Sequence, residues 1–290
     1  MTNRLTALLA GRPAILDGGY GWLLQERGLE PGVPAEDWNL TNPDGVARLH
    51  EEYAEAGAQI LTTNTFGGTG LRLDGHGLGE QVHEVNRAGA AIARAVADRH
   101  GILVAGDVGP TGELLEPLGA LSFDDAVAAF ATQIAGLVEG GADLILIETM
   151  SDLEEARAAV TAAGEVAPEL PVVATFSFDT NLRTMMGLSP SAAVAALEGV
   201  DAIGANCGRG PDEMIQIAGQ LGAARENDVL LVAQSNAGLP QVSGDGFAYT
   251  VGPDAMGDHA VELREAGIDV IGACCGSSPE HIRAMVKALS

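Results

Sequence analysis

The sequence predicts an α/β fold, namely a single-domain (β/α)8 TIM barrel that spans residues 1–290. A short apolar run, a polar or Gly-rich turn and an Ala/Leu-rich helical stretch recur along the chain. Strand–helix alternation implies parallel strands joined by crossover helices. Eight such units in 290 residues fit the size of one barrel. The pattern alone leaves a doubly wound open sheet as the alternative.

The predicted strands are short aliphatic runs that end at a polar residue or a glycine. Such runs fit parallel strands that are buried on both faces. They cover residues 14–17, 59–63, 103–107, 144–148, 172–176, 202–206, 230–234 and 270–273.

The predicted helices have apolar residues at helical spacing. Several follow a serine that can cap the first turn, with proline or acidic residues after it: Ser122, Ser151, Ser189 and Ser278. The helices cover residues 78–99, 123–139, 152–163, 211–221, 253–266 and 279–289.

The composition excludes several classes of protein. Fifteen Lys and Arg against 40 Asp and Glu give a net charge of 15 − 40 = −25, which argues against nucleic-acid binding. The one lysine, Lys287, lies near the C-terminus, where a phosphate-loop or Schiff-base lysine is not expected. No apolar run approaches the roughly 20 residues of a membrane span. Three cysteines and no recognisable secretion signal indicate a reducing compartment, so we expect a cytoplasmic protein without a membrane partner.

All three cysteines follow predicted strands, and glycines bracket them: Cys207 after the sixth strand, Cys274 and Cys275 after the eighth. In a barrel these strand ends meet at one mouth, where the active site of this fold lies. Buried structural cysteines and a disulfide between Cys274 and Cys275 are the alternatives, but the disulfide leaves Cys207 unexplained. Three thiolates with one open position are typical of a reactive zinc centre.

Distinctive segments occur along nearly the whole chain. Two contain the cysteines, Gly-Ala-Asn-Cys-Gly at 204–208 and Gly-Ala-Cys-Cys-Gly-Ser-Ser-Pro-Glu-His-Ile at 272–282. The others lie at 15–19, 63–67, 109–119, 146–150, 176–179 and 234–238. Together they resemble the homocysteine S-methyltransferase family, in particular the homocysteine-binding module of cobalamin-dependent methionine synthases, and the two cysteine segments resemble its zinc signatures.

The resemblance implies a barrel in which Cys207, Cys274 and Cys275 hold zinc and homocysteine sulfur takes the fourth position. It implies that Asn236 is an exchangeable oxygen ligand before the substrate binds. It also implies that Asp17 and Glu148 hold the substrate's amino group. From the residues alone, Asp17 also fits a turn before two glycines, and Glu148 fits a charge at a helix N-terminus.

The chemistry is consistent with this assignment. A thiol with a pKa near 8.5 is mostly protonated at neutral pH and is then a poor nucleophile. Coordination to zinc deprotonates it. Three cysteinates on a dication leave a net charge of −1, so the bound sulfur stays nucleophilic.

Some residues depart from the family pattern. Trp22 stands where the family has a small or hydroxyl residue, and we expect it to reshape the donor side of the pocket or to cover the barrel mouth. Gly67 stands where the betaine-dependent branch has tyrosine, and the sequence ends at Ser290 without that branch's extension, so betaine is not the expected donor.

Two histidines lie in segments that suggest a ligand role. Residues 74–79 match the Asp-x-His-x-x-Gly pattern of cobalamin binding, but we expect His76 to be a loop residue. We expect His281 to shape a helix end and not to bind metal.

The predicted function is zinc-dependent methyl transfer to homocysteine, with a separate methylated corrinoid protein as the donor. S-methylmethionine or S-adenosylmethionine is the alternative donor. Another thiol or selenol acceptor, or a non-catalytic module that binds a thiol amino acid, remains open. Fold class alone decides none of these.

Overall fold

A computed structural model describes residues 13–225, 229–243 and 246–290, together with Leu5 and Leu8. Eight parallel strands alternate with helices in a nearly closed barrel, which confirms the predicted fold and excludes the open doubly wound sheet. The barrel strands are β1 (Ala14–Ile15), β2 (Ile60–Thr62), β3 (Leu103–Val108), β4 (Leu144–Met150), β5 (Val172–Phe176), β6 (Ala202–Cys207), β7 (Leu230–Ser235) and β10 (Val270–Ala273).

The strand order around the barrel is β1-β10-β7-β6-β5-β4-β3-β2. A parallel bridge between Leu16 and Ile60 joins the two ends of this order. Strands β8 (Gln241–Ser243) and β9 (Gly246–Ala248) form a separate antiparallel hairpin between β7 and β10.

The α-helices from residue 13 onward are α1 (Gly21–Glu26), α2 (Trp38–Thr41), α3 (Pro43–Ala56), α4 (Gly70–Leu73), α5 (Val82–His100), α6 (Phe123–Glu139), α7 (Leu153–Val166), α8 (Pro190–Ala196), α9 (Pro211–Ala224), α10 (Pro253–Glu265) and α11 (Pro279–Leu289). The predicted helix at 78–99 begins later, at Val82, because residues Gly79–Gln81 form a 3-10 turn. No helix in the described parts of the chain is both long and apolar enough to cross a membrane.

Serine caps fix three of the helix starts. The Oγ atom of Ser122 accepts from the Asp125 amide at 3.1 Å, and that of Ser189 accepts from the Ala192 amide at 3.2 Å. Ser278 forms a capping box with His281. At α7 the cap is Asp152 and not Ser151, because the Asp152 carboxylate accepts from the Glu154 amide.

The apolar core has two layers. Strand residues such as Leu16, Ile60 and Val232 form one cluster, which also includes Leu5. A larger cluster packs the helices against the strands and includes Phe130 and Ile134. This packing leaves the loops after the strands free to carry polar residues at one face of the barrel.

Gly204 in β6 is required by a close approach between strands. A Cβ atom there would overlap the carbonyl oxygen of Val232 in β7.

We expect Gly204→Ala to lower the free energy of unfolding by about 1–3 kcal/mol in urea denaturation, as overpacking does. Gly164→Ala is the matched control, since a Cβ atom at that exposed position in α7 meets open space and should be neutral or slightly stabilising. Equal stability of the two variants would contradict this reading.

Candidate metal and amino-acid site

The three cysteines come together at the carboxyl ends of β6 and β10. Their sulfur atoms all lie within 4.8 Å of one another. The Cys207 sulfur is 3.4 Å from that of Cys274 and 3.7 Å from that of Cys275. All three residues line one cavity and are free thiols, so their sulfurs are available to a ligand. Among the described residues, no other group of His, Cys, Asp and Glu is arranged to hold a metal ion.

Strand register and backbone conformation place these sulfurs. Cys207 pairs with Ser235 of β7, and Ser235 pairs with Ala273 of β10, directly before Cys274. Cys207 itself has a φ of +63°, in the left-handed region that non-glycine residues rarely adopt. Such conformations cluster at functional sites, where the surroundings enforce them.

The three thiols affect one another's ionisation. Hydrogen bonds from Cys207 and Cys274 lower the pKa of Cys275. Hydrogen bonds to Cys207 and Cys275, together with burial, raise the pKa of Cys274 well above its usual value. This arrangement favours one thiolate, and a cation among the sulfurs would favour ionisation of the other two. A soft divalent ion such as zinc fits this donor set.

Asn236 lies between the two cysteine loops. Its Oδ1 atom accepts from the Cys275 amide at 3.0 Å, and its Nδ2 atom donates to the Gly208 carbonyl at 2.7 Å. Both ends of the carboxamide thus tie the loops together. Its assignment as an exchangeable ligand stays a prediction.

The cavity beside the sulfurs has a volume of about 510 Å³. The residues that line it include Glu148, Asp107, Glu36, Trp22 and Arg72. This volume lies within the usual range of sites that bind small molecules, about 300–1,000 Å³.

Asp17, predicted to hold an amino group, lies two residues beyond β1 and is 2% exposed. Its carboxylate accepts from the Thr62 hydroxyl at 2.6 Å, from the Thr62 amide at 2.7 Å and from the Tyr20 hydroxyl at 2.6 Å. Burial raises the pKa of Asp17 to about 7, although these hydrogen bonds lower it. Tyr20 and Thr62, which hold this carboxylate, both line the cavity.

Glu148, the other predicted amino-group ligand, lies in β4 and lines the cavity. Burial raises its pKa to about 7, and the Gln234 amide donates to its Oε2 atom at 3.3 Å. The next residue, Thr149, has a φ of +62° and is held by Asn206, which accepts from the Thr149 amide and donates to its hydroxyl. Asn206 therefore fixes the turn that presents Glu148.

Asp107 and Asn206 also belong to the site, although the sequence did not predict a role for them. Their position as polar residues at strand ends is the one sequence feature that could have indicated it. Asp107 is 3% exposed and lines the cavity. Burial and the charges of Glu148, Glu36 and Asp17 raise its pKa well above the usual value.

Trp22 lines the cavity, and whether it reshapes the donor side of the pocket or covers the barrel mouth stays a prediction. Its indole N–H donates to the Ser277 carbonyl at 3.2 Å, and its ring centroid lies 6.0 Å from that of Tyr249.

The imidazole of His281 bonds to the backbone at the start of its helix: Nδ1 accepts from the Ser278 amide, and Nε2 donates to the Val251 carbonyl. His76 is exposed in a 3-10 turn, as expected of a loop residue, and it also lines the cavity.

The raised pKa of Glu148 predicts how stability depends on pH. The folded protein keeps a proton that the unfolded chain releases between the ordinary pKa of 4.5 and about 7. The free energy of unfolding should therefore fall as the pH rises through this window, by about 3 kcal/mol for such a shift. We expect Glu148→Gln to lose less stability than the wild type between pH 5 and 8, in urea denaturation of the metal-free protein.

Glu165→Gln, which changes an exposed carboxylate on α7, is the control and should follow the wild-type profile. A Glu148→Gln profile parallel to that of the wild type would contradict the assigned protonation.

Comparison with known proteins identifies the family. The model of the homocysteine S-methyltransferase family matches residues 14–289. The methionine synthases of Mycobacterium leprae and Mycobacterium tuberculosis are 34% and 35% identical to the chain, over 99% of its length. The chain spans only 25% of the length of these relatives.

Solved structures share the fold. The oxidized form of the homocysteine methyltransferase MmuM from Escherichia coli has a TM-score of 0.82 and 25% sequence identity, over 98% of this chain and 99% of that one. Its metallated form has a TM-score of 0.83 and 24% identity over the same shares. The resemblance inferred from the motifs is thus confirmed, and the chain belongs to the homocysteine S-methyltransferase family.

Proposed function

We propose that this chain transfers a methyl group to the sulfur of homocysteine and so forms methionine, with zinc as its cofactor. The observation that carries the proposal is the meeting of three cysteine sulfurs in a cavity that also exposes carboxyl groups. A thiol amino acid offers the two matching groups, a sulfur for the metal and an ammonium for the carboxylates.

Cys207, Cys274 and Cys275 would hold the zinc ion. The chemistry that zinc supplies in such a site is to keep the acceptor thiol deprotonated at neutral pH. We propose Asn236 as the exchangeable oxygen ligand, which requires its Oδ1 atom to release the Cys275 amide.

The carboxyl groups orient the acceptor. Glu148 lines the cavity, and the Asp17 carboxylate is held by two residues of its wall, Thr62 and Tyr20. Both would attract the ammonium group. With the amino group held, the acceptor sulfur attacks the methyl carbon in line. The bond from that carbon to the donor breaks, and its electron pair leaves with the donor. Holding both ends of the acceptor reduces the entropy cost of this alignment.

We propose a methylated corrinoid protein as the donor. The similar methionine synthases are about four times as long as the matched region, so other parts accompany the barrel in those proteins. Exposed apolar side chains on the loops after β3 and β5 suit a protein partner: Leu114, Leu118, Met185 and Met186. These loops lie at the same end of the barrel as the cysteines.

A small sulfonium donor, S-methylmethionine or S-adenosylmethionine, is the second candidate. The acidic side chains of the cavity favour it, because they attract a cation. A different thiol or selenol acceptor would be recognised by turnover with that acceptor and none with homocysteine. A non-catalytic binding role would be recognised by binding without turnover. We further propose that residues 1–290 form one domain and act in the cytoplasm, whose reducing conditions keep the thiols available.

We expect about one zinc per chain, and we expect alanine at Cys207, Cys274 or Cys275 to remove most of the metal and the activity. The barrel should remain folded, because the sulfurs lie at its rim and not in its apolar core. Metal analysis and circular dichroism of each variant check this.

His281→Gln is the matched control, since its imidazole is bonded to the backbone and should not affect zinc content. Absence of zinc from the wild type, or full zinc in all three cysteine variants, would refute the site.

The donor is tested by methionine formation from homocysteine with four donors in parallel: a methylated corrinoid protein, S-methylmethionine, S-adenosylmethionine and betaine. We expect turnover only with the corrinoid protein. Rapid turnover by the isolated chain with S-methylmethionine would contradict the corrinoid proposal and identify the sulfonium compound as the donor. Zinc and homocysteine binding without turnover from any donor would support the binding-module alternative.

A further inference from the structure

Asp107 is a buried carboxyl group with an unused oxygen in the wall of the cavity. Its side chain is 3% exposed, and its Oδ1 atom has no hydrogen-bond partner among the described residues. A buried polar atom without a hydrogen-bond partner destabilises the folded chain. A free carboxylate oxygen on a cavity wall therefore points to a ligand that supplies a donor.

The main chain of Asp107 is held without the help of its carboxyl group. Its amide donates to the Thr63 hydroxyl at 2.9 Å. Its carbonyl accepts from the Thr65 hydroxyl at 2.8 Å and from the Gln133 amide at 3.1 Å. The residue is thus fixed at the end of β3 while Oδ1 stays available.

The other acidic groups around the cavity differ in this respect. Asp17 accepts three hydrogen bonds from Thr62 and Tyr20. Glu36 accepts from the Gly67 amide through Oε1. Asp107 and Glu148 are the remaining carboxyl groups on the wall, and each affects the charge of the other.

The ligand that these groups fit is an organic cation. The carboxylates do not approach one another closely enough to form a metal site; within the described residues only the cysteine cluster does. Arg72, a basic residue on the wall, donates to the Pro110 carbonyl and lies over the Phe66 ring, so it is engaged elsewhere. An ammonium group supplies up to three N–H donors and a positive charge.

We propose that Asp107 joins Glu148 in directly binding the ammonium group of the amino-acid acceptor. This inference rests on the proposed function, because it requires an amino-acid thiol as the acceptor. It makes Asp107 the residue that distinguishes amino-acid thiols from thiols that have no amino group.

The test uses zinc-loaded protein and calorimetric binding of two thiols: homocysteine and 4-mercaptobutanoic acid, which lacks only the amino group. We expect Asp107→Asn to weaken homocysteine binding by about tenfold or more, as loss of a charge-assisted hydrogen bond does. Binding of 4-mercaptobutanoic acid should change less than about twofold.

Glu36→Gln is the matched control, because it removes one negative charge from the same cavity but leaves an acceptor for the Gly67 amide. It should affect the two thiols equally. Zinc content and thermal melts of both variants verify that the site and the fold are intact.

Equal weakening of both thiols by Asp107→Asn, or no weakening of homocysteine, would overturn the assignment of Asp107. Failure of the wild type to bind either thiol would instead refute the proposed function, so the two failures are distinguishable.

Discussion

The shared register of β6, β7 and β10 is the constraint on which the site depends. Cys207 lies 67 residues before Cys274, yet their sulfurs are 3.4 Å apart. Parallel pairing sets Cys207 opposite Ser235 of β7, and Ser235 opposite Ala273, the residue before Cys274. Asn236, the residue after Ser235, then bonds to the backbone of both cysteine loops. A shift of one residue in either pairing would turn a sulfur toward the opposite face of the sheet.

The same end of the barrel collects buried acidic groups whose ionisation is opposed by burial. Asp17, Asp107 and Glu148 are close enough that their charges affect one another. Burial of like charges raises each pKa and costs stability near neutral pH. A bound cation, such as the ammonium group proposed above, would offset that cost.

The sequence predicted the fold and the cysteine cluster because both follow from strong local patterns. Short apolar strands, serine caps and cysteines at strand ends are each compatible with only a few local structures. The particular hydrogen bonds were not predictable. Whether Asp107 keeps a free oxygen while Asp17 has none depends on Thr62 and Tyr20, which reach Asp17 only in the folded chain. Likewise, the position of Trp22 depends on a carbonyl 255 residues away, at Ser277.

X-ray absorption at the zinc edge, on zinc-loaded protein with and without homocysteine, tests the central claim most directly. We expect three sulfur neighbours and one lighter atom without homocysteine, since three cysteines hold the metal, and four sulfur neighbours with it. Fewer than three sulfurs in the free protein, or a first shell that homocysteine leaves unchanged, would contradict a site that brings metal and acceptor sulfur together.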